Sequence, residues 1–273
     1  MMAAVAGTKN RTSPVRVFNP AAEGWLVLIC DHASNFVPEQ YGTLGLAPED
    51  LERHIAWDPG AAPVARILAE KLDAVLVESA VSRLIVDCNR PLDAPDLIPA
   101  TSETTEIPAN RNLPEAERAR RIALSHAPFH AAVDAVVRQR LEARRPCALV
   151  SIHSFTPVYR GVKRPWHVGI IHDDDMRLGR PIISALERID GITVGDNQPY
   201  SPADRVYFSL EIHAREFGLP CAMVEIRNDE ISDAAGQALW ADRFATILSG
   251  IQEPDLTVGK ATARNAKGHR RLA

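Results

Sequence analysis

The 273-residue chain is 46% hydrophobic and 24% charged, ordinary globular composition with enough length to bury a large core. A net charge of −4 and a pI near 6.1 argue against a nucleic-acid or acidic-membrane partner and for a small-molecule one. No run approaches the roughly 18 to 20 apolar residues that span a bilayer, the start lacks a leader's apolar core, and Cys30, Cys88, Cys147 and Cys221 form no CxxC pair, so a reducing cytoplasm is the expected setting.

Residues 1–18 read as a flexible N-terminus and 19–253 as a single α/β domain. The first apolar run, Trp25 to Cys30, ends in Asp31-His32-Ala33-Ser34-Asn35. Asp58-Pro59 resembles an N-cap followed by a first-turn proline, with Val64, Ile67, Leu68 and Leu72 repeating on one helical face. Runs at Ala74–Val77 and Leu84–Asp87 follow, the second leading into Cys88-Asn89-Arg90. Residues 91–114 are rich in Pro, Thr, Asp and Glu without apolar periodicity, a long loop of the kind that is functional or disordered.

A helical stretch from Pro114 to Arg145 carries Ile122, Leu124, Phe129, Val133, Val137 and Leu141 and should bend or break at Pro128. Apolar runs at Cys147–Ile152, Val168–Ile171 and Cys221–Ile226 alternate with helical patterns at Arg177–Arg188, Ser209–Phe217 and Ser232–Leu248. The pattern predicts an α/β fold with a mostly parallel or mixed central sheet and helices on both faces. Residues 254–273 are poor in large apolar side chains and basic, and read as a disordered tail.

Ligands collect at the carboxyl ends of strands in such sheets, so the polar residues after the apolar runs are the candidates. His32 and His153 supply the neutral imidazoles that a catalytic zinc takes, and Glu225 lies near a third strand end. The third protein ligand is open: Asn35 stands where a carboxylate three residues after His32 would serve, and Asp58 is either that carboxylate or the N-cap of the next helix. Glu225 is read either as general base or as the partner of Arg83 or Arg227 in a structural ion pair. Arg83, Arg90 and Asn89 offer donors that match a substrate carboxylate. Ser154 and Arg227, beside them, are further candidates for substrate binding. The chain has no GxSxG, GxxxxGK[ST], HExxH or GxGxxG motif; Asp173–Asp175 reads as a solvated turn, and His126 with His130 as helix packing or surface exposure.

DHASNFVP, HIAWDPGA, SRLIVDCNRP, SIHSFTP and VEIRNDEI, in that order between Leu26 and Ile231, resemble the motifs of N-formylglutamate amidohydrolases. That family is similar to the zinc carboxypeptidase-like superfamily of phosphorylase/hydrolase-like folds, which includes aspartoacylases and succinylglutamate desuccinylases. The resemblance implies Zn2+ on His32 and His153, Glu225 as base, Arg83 as oxyanion or carbonyl donor, and Asn89 with Arg90 as carboxylate clamp. Asn35 departs from the glutamate of those relatives. The implied activity is metal-dependent hydrolysis of an N-formyl or other N-acyl acidic amino acid, with a deacylase of other acyl specificity or a silent metabolite-binding protein as alternatives. Composition leaves the oligomeric state open.

Overall fold

The computed structural model of the protein describes residues 13–251. Its strands are β1 (Val15–Phe18), β2 (Leu26–Cys30), β3 (Val75–Ser79), β4 (Thr101–Ser102), β5 (Thr105–Glu106), β6 (Ala148–Phe155), β7 (Val158–Tyr159), β8 (Val162–Lys163), β9 (Val168–Ile171), β10 (Val194–Asp196) and β11 (Cys221–Arg227). The helices are α1 (Pro48–Leu51), α2 (Ala61–Lys71), α3 (Glu115–Arg121), α4 (Ala127–Glu142), α5 (Gly179–Leu186), α6 (Phe208–His213) and α7 (Ala234–Ser249). A seven-stranded mixed sheet runs β1-β3-β2-β6-β11-β9-β10, and β4–β5 and β7–β8 are separate small hairpins.

Strands β3, β2, β6 and β11 are mutually parallel and buried on both faces, which is why their sequences read as unbroken apolar runs. Alternate residues divide between two layers. Leu26, Leu28, Val150, Ile152 and Val224 pack against α2, α5 and α7 through residues such as Leu68, Ile183 and Phe244. Val27, Ile29, Leu149 and Met223 point to the other face, where Phe129, Val133 and Val137 of α4 and Leu210 of α6 cover them. Each such fully buried side chain is worth roughly 1.5 to 3 kcal/mol, so the helices are held by their apolar stripes more than by propensity.

Three sequence expectations change. Leu84–Asp87 is not a strand: Ile85 N bonds back to Ser82 O and Asp87 N to Leu97 O, while Leu84, Ile85 and Val86 fill a third core with Leu44, Leu97 and Ile107. A four-residue apolar run looks the same in a strand and in a buried turn. The helical stretch after Pro114 is not broken at Pro128: it continues from α3 through a π turn over Ile122–His126 into α4, and the wider turn lies just ahead of Pro128, whose ring and missing N–H would disrupt a regular α-helical ladder. Within the expected flexible segment 1–18, Val15–Phe18 forms an edge strand antiparallel to β3, held by four residue pairings onto an ordered neighbour. Residues 1–12 and the expected basic tail 254–273 lie outside the described residues.

The 91–114 segment is ordered. Leu97, Ile98 and Ile107 bury it against the third core, and buried Asn110 donates to Leu84 O and Pro99 O. Among the described residues no helix is long and apolar enough to cross a membrane.

Candidate active site

The parallel strands deliver their polar residues to one edge of the sheet. Asp31 and His32 follow β2 directly, and His153 and Glu225 are register partners on the adjacent strands β6 and β11. Parallel pairing places them side by side on one face, although they lie 72 positions apart in the sequence.

Asp58 arrives from the turn before α2. The helix is capped by Gly60, not by Asp58: Gly60 has φ 82°, no side chain caps the helix, and a Cβ at Gly60 would lie 2.4 Å from Ile231 O. Glycine permits the turn, and the turn aims the Asp58 carboxylate inward. Its Oδ2 lies 2.9 Å from His153 Nδ1 and 3.4 Å from His32 Nδ1, while Oδ1 pairs with Arg83 Nη2 and lies 3.3 Å from His54 Nε2. One ligand atom from each of His32, Asp58 and His153 falls within 4.8 Å of the others, and all three residues are buried. Asn35, by contrast, turns away and donates to Leu51 O.

The outer nitrogens of both imidazoles are held by further carboxylates. His32 Nε2 lies 2.7 Å from Asp87 Oδ1, and His153 Nε2 lies 3.2 Å from Asp31 Oδ2, an ion-pair distance off the line of a hydrogen bond. Asp31 also accepts from Ser209 Oγ. Carboxylates behind the imidazoles fix ring orientation and leave both Nδ1 atoms facing Asp58.

Charge is unbalanced here. Asp31, Asp58 and Asp87 are buried and anionic, with Arg83 the guanidinium paired to Asp58. Against the cost of burial, Arg83 and His32 hold the Asp58 carboxyl well below its ordinary value, and His32 with Arg90 depress Asp87. Against burial again, Asp31 and Asp58 push His153 up to about 10. The protein groups alone thus create a demand for positive charge that protonated imidazoles or a divalent cation can meet. Two imidazole nitrogens and a carboxylate oxygen form a donor set suited to zinc, so these residues fit a metal.

Among the described residues Glu225 makes no ion pair beside this trio: Arg83 is engaged by Asp58, and Arg227 is turned to Asp229 and Glu230. Its Oε2 is buried with no hydrogen-bond partner. Burial, reinforced by the Asp58 charge and opposed by His153, pushes its carboxyl up to about 7. Arg83 Nε is likewise buried and unpartnered.

A cavity of about 250 Å³ opens onto these groups, with His32, Asp58, His153, Glu225, Arg83, Asn89, Arg90 and Ser154 all on its wall. Arg227 is not brought to it. Asn89 spends its amide on the protein, donating to Val206 O and accepting from Ser209 N, so it shapes the loop that carries Arg90. Arg90 pairs with Asp96 at 2.8 Å, and Ser154 Oγ donates to Pro59 O. Sequence reasoning overlooked the parts played by Asp31, Asp87 and His54, and the wall formed by Tyr159, Arg160 and Tyr200. The one available signal was the polar residue adjoining each apolar run.

The family model for N-formylglutamate amidohydrolase matches residues 25–232, which include every residue of this site. The chain belongs to that family. It is a hydrolase acting on amide bonds. It is similar, at 44% identity and a TM-score of 0.86, to the crystal structure of gene product Atu2144 from Agrobacterium tumefaciens, over 89% of this chain and 96% of that one. The structure of N-formylglutamate amidohydrolase from Ralstonia eutropha JMP134 shares the fold at 22% identity and a TM-score of 0.60, over 86% of this chain and 95% of that one. No curated protein matches the chain.

Proposed function

We propose that this member of the family hydrolyses the N-formyl, or another small N-acyl, group of an acidic amino acid such as N-formyl-L-glutamate, with Zn2+ held by His32, Asp58 and His153. The observation that carries the reading is the buried His32–Asp58–His153 trio next to an unpaired, buried Glu225 in a cavity with guanidinium groups on its wall. When bound, the metal supplies Lewis-acid polarisation and makes water more acidic.

Glu225 accepts a proton from the attacking water as the water oxygen bonds to the acyl carbon. A carboxyl near pH 7 is well matched to that exchange. Arg83 Nε donates to the carbonyl oxygen as it gains charge, a contribution of roughly 3 to 4 kcal/mol for such donors elsewhere. Glu225 then passes its proton to the nitrogen as the C–N bond breaks, giving formate and the free amino acid. Arg90 holds a substrate carboxylate, with Asn89 fixing its loop and Ser154 lining the floor.

Formate release from N-formyl-L-glutamate, measured together with elemental analysis, tests the reading. Glu225→Gln should keep its metal and lose turnover by about three orders of magnitude or more. Full activity in that variant removes Glu225 from the reaction, and full metal occupancy in His153→Ala removes the ligand set.

A further inference from the structure

Three guanidinium groups, of Arg83, Arg90 and Arg160, line the cavity, and two already pair with acids. Arg83 pairs with buried Asp58, and Arg90 with Asp96 at 2.8 Å. Arg160, an exposed residue of the same lining, makes no ion pair among the described residues. Its nearest aromatic contact is its own neighbour, Tyr159, with the guanidinium carbon 5.4 Å from the ring centre.

The backbone beneath it is unusual. Arg160 and Gly161 link β7 to β8 with φ of 48° and 81°, both in the left-handed region. A two-residue hairpin turn of this kind favours Asn-Gly or Asp-Gly, because a longer side chain is strained at the first position. Here an arginine occupies it. The hairpin itself is firmly seated: Arg164 N donates to Pro157 O at 2.8 Å, and the buried Arg164 guanidinium lies 4.6 Å from the Tyr159 ring centre and 4.9 Å from that of Tyr200, both cavity residues. A strained, exposed cation on a rigid support in a cavity lining is placed to meet an anion.

We propose that Arg160 receives the side-chain carboxylate of the substrate and makes the site prefer N-acyl glutamate-like dicarboxylates over their neutral amide counterparts. This rests on the reading above that the substrate is an N-acyl amino acid. Arg90 spends Nε on Asp96 and Nη1 on Asn89 O, so its Nη2 serves one carboxylate and Arg160 the other; a dicarboxylate is gripped at two points and a monocarboxylate at one.

The deciding variant is Arg160→Asn, because asparagine suits the left-handed turn and preserves the hairpin. Two preferences are measured on the metal-loaded full chain: calorimetric binding of L-glutamate against L-glutamine, and kcat/KM for N-formyl-L-glutamate against N-formyl-L-glutamine. Wild type should favour the acid in both. Arg160→Asn should shrink that preference roughly ten- to hundredfold, through KM more than kcat, with Tm unchanged or raised. An undiminished preference in the variant, or none in wild type, overturns the proposal. If wild type binds glutamate selectively but hydrolyses neither formyl compound, the proposed reaction falls while the binding comparison still decides Arg160.

Discussion

Asp31 illustrates how far a single side chain reaches in this site. It touches no cavity surface, yet it stands behind His153 on one side and accepts from Ser209 Oγ of α6 on the other. Asp87 does the same for His32. A carboxylate behind a ligating imidazole orients the ring and raises its basicity, and losing one costs about ten- to hundredfold in metal affinity. Asp31→Asn is therefore expected to weaken zinc binding by that order, read by chelator competition. Unaltered affinity would reduce Asp31 to a packing residue. None of this was legible from Asp31-His32 as a dipeptide, because Asp31 acts on an imidazole 122 positions away, brought to it by the pairing of β2 with β6.

At the scale of elements, the π turn and α4 meet α6 through His126 and His130, which the sequence assigned to packing or surface, and His213. His126 and His130 lie with ring centres 4.3 Å apart, and His130 with His213 at 5.2 Å. His130 Nε2 donates to Cys88 O and His126 Nε2 to Arg90 O, so the π turn and α4 pin the loop that carries Asn89 and Arg90. With Nε2 of His130 protonated, its Nδ1 accepts from His213 Nε2 at 2.9 Å, which makes the chain of rings neutral. Burial drives all three downward in pKa, His213 to about 4. The unfolded value is near 6.5, so the unfolded chain takes up these protons first. The contribution to stability is complete above about pH 6.5 and is lost as pH falls toward 4, by roughly 3 kcal/mol at most for His213. Glu225, raised to about 7, and His153, raised to about 10, act with the opposite sign within the same range, so the test is a difference: relative to wild type, the urea midpoint of His213→Gln should rise as pH falls from 8 to 4.5. A pH dependence identical to wild type would place the titration elsewhere, since Glu225, His153 and the depressed carboxyls of Asp58 and Asp87 are present in both proteins.

For the molecule as a whole, the buried carboxylates at the sheet edge couple ligand binding to stability. A cation that binds only the folded protein raises stability by RT ln(1 + [L]/Kd), about 2.7 kcal/mol at a hundredfold excess over Kd. Zinc should raise Tm by several degrees for a chain of this size and EDTA should reverse it; no shift, or the same shift in Asp58→Asn, would contradict a site built on this trio. The sequence by itself determined the runs that became β2, β3, β6, β9 and β11, the helical stripes of α2, α4 and α7, and the strand-end positions of His32, His153 and Glu225, because residue periodicity and the polar step at the end of an apolar run are local properties of the chain. Only the tertiary structure decided that Asp58 rather than Asn35 joins the histidines, that Leu84–Asp87 is a buried turn, that Arg227 faces away, and that Arg160 reaches the cavity. Those outcomes depend on strand order, on the positive-φ turns at Gly60 and Arg160, and on charges brought together across long stretches of sequence, which local patterns do not encode.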